Sequence, residues 1–219
     1  SANAGGLYDG QRFASNHEVV VVSINYRLGA LGWFSHPSLA VEETDEYSQR
    51  DNSGNYGTLD ILAALEWVQG NIKNFGGDPD NVTIFGESAG AFNVLSMMIS
   101  PLAEGLYHKA ISQSGGIRII PMDAAQNYHD EGLGHPLSAR ELTSRMLVKS
   151  GLAVDQEDAR GVQEIMSGGA IRKFLLDQSV ESILLAQNDF DSGMSDDDNE
   201  AANPEPFIWW EAAGMLSPT

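Results

Sequence analysis

The chain has 219 residues, 42% of them hydrophobic and 20% charged, and its 31 acidic side chains against 12 basic ones give a formal net charge of −19. That balance suits a globular protein with ample core material, and its field repels nucleic acid and anionic lipid, so neither is an expected partner. With no cysteine in the chain, disulfides, thiolate zinc sites and a cysteine nucleophile are excluded together.

No apolar stretch reaches membrane-spanning length, and no signal peptide is recognisable. The opening Ser1-Ala2-Asn3-Ala4-Gly5-Gly6 reads as the tail of a glycine-rich loop, and the chain as a fragment of a longer protein. Val19–Asn25 is a nearly continuous β-branched run, expected as a parallel strand buried on both faces. It leaves through the glycine-punctuated Tyr26–Phe34, after which residues 35–56 are polar and loop-like. Thr58 to Asn74 carries Leu59, Leu62, Ala63, Leu65, Trp67, Val68 and Ile72 at helical spacing, with Asn55, Gly57 or Thr58 as the cap and Gly76-Gly77-Asp78-Pro79 as the stop.

Val82-Thr83-Ile84-Phe85 then reads as a buried strand and Ala91–Ile99 as a packed helix, joined by Gly86-Glu87-Ser88-Ala89-Gly90. This strand–turn–helix setting turns a five-residue pattern into a nucleophile elbow. A serine on so tight a turn sits in a strained backbone, so Gly86 and Gly90 are required to be small. Its hydroxyl is lifted off the sheet at the start of a helix, whose dipole favours developing negative charge. Lys109–Ser114 is a further short strand. Strands alternating with helices predict an α/β fold with a mostly parallel sheet and helices on both faces.

From about Pro121 the character changes to a helical excursion. Residues 138–150 with Ser138 as cap, 157–166, and Phe174 to Leu185 are expected as helices, with Gly168-Gly169 separating two of them. Asp189 to Glu205 is acidic and reads as a surface loop. Its spacing lacks the glycine and closing glutamate of a calcium loop. One domain is expected over 1–219, with a sheet core in 1–120 and a helical, cap-like region in 121–219.

Taken together, Asn25-Tyr26-Arg27-Leu28-Gly29-Ala30-Leu31-Gly32, Asn55-Tyr56-Gly57, Phe75-Gly76-Gly77-Asp78-Pro79, the elbow and Gln113-Ser114-Gly115 resemble the type-B carboxylesterases, the cholinesterase-like branch of the α/β-hydrolases. The resemblance covers roughly residues 1–120. It implies a serine esterase in which Ser88 is the nucleophile of an acyl-enzyme mechanism and the backbone N–H of Ala89 is an oxyanion-hole donor. It places Ser1 and Ala2 at the end of the oxyanion loop. Glu87 is read either as lining the site or as an ordinary elbow residue, and Arg27 with Asp60 as a buried ion pair. A small-molecule ester is the implied substrate, with no cofactor and no metal. Secreted or periplasmic placement is favoured by the resemblance and the acidity, and the oligomeric state is left open.

A serine esterase needs a histidine base and an acid to hold it. His17 and His36 precede Ser88, His108 enters a strand, and His129 and His135 lie in a glycine-rich loop of the helical region. Glu131, Glu141, Asp177 and Asp189 fall in that region too. The resemblance places both missing partners on later strands, past Thr219, so the chain is expected to be truncated at both ends and inactive alone, with an exposed apolar sheet face. Two alternatives stay open: a non-catalytic, cholinesterase-like adhesion protein, and a hydrolase of amide, thioester or carbamate bonds. Trp33, Phe34 and Phe92 are weighed as acyl-pocket lining against ordinary core.

Overall fold

A computed structural model describes residues 9–42, 45–117, 119–191 and 208–209. These fall into two compact units, one from residues up to 27 together with 57–117, the other from 28–56 together with residues after 118.

The first unit holds α1 (Gln11–His17), α4 (Tyr56–Asn71), β1 (Thr83–Glu87), α5 (Ala89–Ile99) and β2 (Lys109–Gln113). Helix α4 follows from its apolar spacing: Ile61, Leu62, Leu65 and Val68 are buried. A short 3₁₀ turn (Ile72–Phe75) then ends at Gly76, whose φ of 81° is the left-handed value that favours glycine. Strands β1 and β2 pair in parallel with Phe85 opposite Ile111 and Glu87 opposite Gln113. Helix α5 connects them, a βαβ unit as the strand–helix–strand pattern predicts. Ile61, Leu62 and Leu65 pack on Met97 of α5 and on Ala103, with Ile24, Tyr26 and Ile84 against the same cluster. Trp67, expected in the buried stripe, is exposed.

Alternation along β1 leaves one face open. Phe85 is 60% exposed and its register partner Ile111 is 52% exposed, in keeping with the expected apolar sheet face. The predicted strand at Val19–Asn25 is not observed, and among the described residues it joins no ladder. Val19, Val20 and Val22 are exposed, and only Ile24, with Tyr26 just beyond, packs on the core. Branching at Cβ favours an extended backbone, but a strand also needs a neighbour to take its N–H and C=O groups.

The second unit holds α2 (Gly29–Gly32), α3 (Glu46–Asn52), β3 (Ile119–Ile120), α6 (Met122–Gln126), α7 (Ala139–Lys149), α8 (Gln156–Ile165), α9 (Gly168–Leu176), α10 (Val180–Asp191) and β4 (Ile208–Trp209). Strands β3 and β4 pair in parallel. Leu142 and Met146 of α7 meet Ile171 and Leu175 of α9 and Ala186 of α10, with Ala30 and Phe34 packed on the same cluster. Ser138 caps α7 by accepting the Glu141 N–H at 3.3 Å.

Four expectations are corrected here. Residues 35–56 are not all loop, because they include α3 and a 3₁₀ turn at Pro37–Leu39. Gly168-Gly169 does not separate helices but begins α9, because Ser167 caps that helix by accepting the Ala170 N–H. The helix expected over Phe174–Leu185 is two helices, with Ser179 accepting the Ser182 N–H at the start of α10. In both places a serine cap sets the start of the helix, and apolar spacing cannot register that. The acidic stretch expected as a surface loop begins inside a helix, since Asp189 to Asp191 end α10, and its remainder, from residue 192 to Glu205, lies outside the described residues.

Candidate active site

The elbow forms where β1 hands the chain to α5. Ser88 has φ 51° and ψ −118°, a combination outside the ordinary left-handed well that costs about 1–3 kcal/mol and persists only where neighbours enforce it. Here they do. The Ser88 N–H donates to the Gln113 carbonyl at 2.9 Å, extending the β1–β2 ladder by one bond, while the Ser88 carbonyl accepts from Ala91 N–H at 2.8 Å and Phe92 N–H at 3.1 Å. The serine is thus the last residue of a ladder and the cap of a helix at once, and it is exposed. Ala89 supplies one of the first-turn amides, which have no acceptor within the helix, and that end of α5 favours negative charge.

Crowding around the turn is one-sided. A Cβ on Gly86 would lie 2.3 Å from the Gly90 carbonyl carbon and oxygen, whereas a Cβ on Gly90 would meet no atom within 4 Å among the described residues. Gly86 is therefore required by contact, and the expectation that Gly90 must also be small is not met. Gly115 makes a second close approach, its Cβ position being 2.5 Å from the Ala91 side chain. Just before it, Ser114 holds φ 57°.

Glu87 ends β1 on its exposed face. Ser1 and Ala2 lie outside the described residues. The Arg27–Asp60 pair is present and bidentate: Asp60 accepts from Arg27 Nη2 at 2.8 Å, from Nε at 2.9 Å and from the backbone N–H at 2.8 Å. It is not buried as expected, since the two side chains are 51% and 27% exposed. Burial pushes the Asp60 carboxyl up, but the hydrogen bonds and charge of Arg27 together hold it below the usual range.

Each histidine makes a local contact. The His17 ring lies 5.1 Å from the Phe13 ring. His108 Nδ1 accepts from the Val82 N–H at 3.2 Å and His135 Nδ1 from the Leu137 N–H at 3.0 Å. His36 is buried and its Nδ1 accepts from the Ser38 N–H. Burial first, and the charge of Arg140 second, lower its pKa to about 4, against a smaller opposing pull from Gln163.

His129 Nδ1 lies 2.6 Å from Glu141 Oε1 in the second unit. Glu141 is buried and also accepts the His129 N–H. With Asp130 these residues bring three metal-capable atoms within 4.8 Å of one another. The guanidinium of Arg160 sits among them, 2.8 Å from Asp130, 2.8 Å from Glu141 and 3.3 Å from His129 Nδ1. The same guanidinium lies 4.4 Å from the ring centre of buried Tyr128. A cation thus already serves the cluster. Of the other acids, Glu131 pairs loosely with Arg140 at 3.9 Å, and Asp177 pairs with Lys173 one turn earlier. Of the aromatics weighed for an acyl pocket, Trp33 is buried and Phe34 packs on the second unit's core.

Asn93, one turn into α5, drew no attention in the sequence, although an amide on the face shared with Val94 and Met97 was a visible irregularity. It is buried in the first unit, beside the elbow in sequence.

Comparison with known proteins bears on the same residues. The model of the Carboxylesterase family matches residues 1–194. Carboxylesterase 1D of Rattus norvegicus is 56% identical over 108 residues, 49% of this chain and 17% of that protein. Fumonisin B1 esterase of Sphingopyxis macrogoltabida is 52% identical over 110 residues, 50% of this chain and 19% of that protein. Among solved structures, carboxylesterase EST55 of Geobacillus stearothermophilus superposes with a TM-score of 0.60 at 36% identity, covering 85% of this chain and 32% of the other. The chain therefore spans about a third of the solved esterase it matches. Its parallel βαβ core is part of an α/β-hydrolase fold, and on the family match over residues 1–194 the chain belongs to the carboxylesterase family.

Proposed function

We propose that these residues are the nucleophile-bearing portion of a carboxylic-ester hydrolase. The observation that carries this reading is the strained, exposed Ser88 between a parallel strand and a helix. In the proposed reaction, Ser88 Oγ attacks the ester carbonyl carbon as a base removes its proton. The carbonyl oxygen becomes an oxyanion beside the Ala89 amide, and the intermediate expels the alcohol to leave an acyl-serine, which water hydrolyses in a second round. Glu87 flanks the nucleophile and lines the approach to it.

The base and acid are assigned to segments of the whole protein outside these 219 residues. His36, His108 and His135 each spend a ring nitrogen on a neighbouring backbone amide, and His129 is engaged by Glu141 and Arg160. Relatives named cocaine esterase and pyrethroid hydrolase suggest a broad range of esters. That Ser88 is present and exposed favours hydrolysis over a purely adhesive role.

The test is labelling by a fluorophosphonate probe in the full-length protein that contains these residues. Ser88 is expected to carry the label, and Ser88→Ala to abolish it. The 219-residue chain alone should label and turn over ester far more slowly, because losing the base of a serine triad costs roughly 10⁶ in kcat. An unlabelled full-length protein, or label on another serine, would refute the assignment.

A further inference from the structure

The first turn of α5 rests on both strands of the βαβ unit. From β1, Gly86 lies against the Gly90 backbone. From the turn that leaves β2, Gly115 lies against the next two residues of the helix. A Cβ on Gly115 would meet the Ala91 side chain at 2.5 Å, the Ala91 carbonyl carbon at 2.8 Å and the Phe92 nitrogen at 3.1 Å. Ala91 is fully buried, and its methyl fills the space that a side chain at residue 115 would need. Two hydrogen bonds join the same segments. Ser112 Oγ donates to the Ala91 carbonyl at 3.3 Å, and the Gln113 carbonyl accepts the Ser88 N–H at 2.9 Å. Backbone strain gathers here too. Among the described residues three non-glycine residues hold positive φ, and two of them are Ser88 at 51° and Ser114 at 57°. Such strain persists where neighbours enforce it and collects at functional sites. The turn at Ser114 carries Gly115 to α5.

What Gly115 touches is what holds the serine. The Ser88 carbonyl accepts its two helical hydrogen bonds from the N–H groups of Ala91 and Phe92, the same two residues that Gly115 abuts, so a retreat of the turn at this point is passed directly to Ser88. We propose that Gly115 is a positioning residue for Ser88. Having no side chain, it lets the first turn of α5 settle onto the exit of β2, and this seat sets where the Ser88 hydroxyl stands relative to the Ala89 amide. The role in chemistry rests on the reading of Ser88 as the nucleophile. The seat itself does not.

The experiment uses the full-length protein as wild type, Gly115→Ala, Ala91→Gly, the double variant of these two, and Gly77→Ala as a control. Gly77 precedes β1, at the end away from Ser88, and a Cβ there would meet the Ile72 side chain at 2.6 Å, so it crowds the same unit away from the elbow. In Gly115→Ala the first turn of α5 must retreat by about 1 Å to reach ordinary contact, which is expected to slow labelling of Ser88 by a fluorophosphonate about 10²-fold per folded molecule. For p-nitrophenyl acetate, kcat should fall with KM little changed, and the amides of residues 89–93 should exchange hydrogen faster. Gly77→Ala should change neither labelling nor that exchange. Ala91→Gly adds no atom and cannot overpack; by loosening the same turn it should slow labelling about threefold. The double variant should label at least about tenfold faster than Gly115→Ala, because the methyl that was met is gone.

Labelling of Gly115→Ala within about twofold of wild type overturns the proposal. An equal loss in Gly77→Ala overturns it as well, by tracing the effect to loosening of the whole unit, and so does a double variant no faster than Gly115→Ala. If Gly115→Ala does not fold, Ala91→Gly decides, and unchanged labelling with unchanged exchange overturns the seat. If wild type itself fails to label, the reading of Ser88 falls, and exchange at residues 89–93, compared between Gly115→Ala and Gly77→Ala, still decides the seat.

Discussion

Replacing Gly86 by alanine tests the geometry of the elbow with one methyl group. The added Cβ would lie 2.3 Å from both the carbonyl carbon and the carbonyl oxygen of Gly90 and 2.9 Å from its Cα. All three are backbone atoms, so no side chain can rotate away. Ordinary contact begins near 3.4 Å, and the first turn of α5 must therefore retreat by about 1 Å, or the end of β1 must bend by as much. Overpacking of this kind costs about 1–3 kcal/mol, read as a lower Tm. The same displacement separates the Ser88 hydroxyl from the Ala89 amide, and misplacing reacting groups by 1 Å costs about 10²-fold in rate. Thermal unfolding and the rate of Ser88 labelling by a fluorophosphonate in the full-length protein measure the two losses. Gly90→Ala is the internal control. Its Cβ position is open and Gly90 is absent from the positions of positive φ, so a helical alanine there should be neutral or stabilising by up to about 1 kcal/mol. If Gly86→Ala labels within twofold of wild type with an unchanged Tm, or if Gly90→Ala is the worse of the two, this account of the elbow is wrong.

Two further predictions concern pH. His36 has a folded pKa of about 4, below the unfolded value near 6.5, so between these the unfolded chain binds more protons and stability falls on acidification through that window, levelling off below pH 4. His36→Asn, which keeps an acceptor for the Ser38 N–H, should flatten that fall by about 1–3 kcal/mol, and identical urea midpoints for the two proteins between pH 4 and pH 6.5 would refute it. Asp60 has a depressed pKa, so its contribution is present above the unfolded value and is lost as pH drops through the folded one. Asp60→Asn should destabilise modestly at pH 7, by about 1 kcal/mol given how exposed Arg27 is, and the difference from wild type should vanish at low pH. A difference that persists in acid would point to packing instead of charge.

Much of the first unit was legible because its signals are local. The spacing of Ile61, Leu62, Leu65 and Val68, the left-handed Gly76 and the Gly86–Gly90 motif each state their own geometry within a few residues. The strained backbone of Ser88 followed from the motif's setting between a strand and a helix. Partnership was harder to see. Val19–Asn25 has a strand's composition without a ladder, since composition is silent on which neighbour supplies the hydrogen bonds. Residues 28–56 belong to the second unit, yet only long-range contacts such as the Ala30 N–H on Gln187 Oε1 at 2.9 Å reveal it. The break between α9 and α10 was masked because the apolar stripe continues across it, while serine caps at Ser167 and Ser179 set the actual starts. At the elbow, Gly90 is small without being crowded, a distinction that two glycines in one motif cannot convey. Asn93 could have been singled out as an amide on an apolar face, but its lack of partners is a property of the packed structure.

Arg160 carries one more implication. An ensemble of imidazole and carboxylates is an arrangement that other proteins hand to a divalent ion, and here a guanidinium from α8 fills the role. A counter-ion built into the polypeptide arrives with it at fixed stoichiometry, at any salt or chelator concentration. In a molecule bearing nineteen surplus negative charges, this corner of the helical unit supplies its own positive charge to two of its carboxylates.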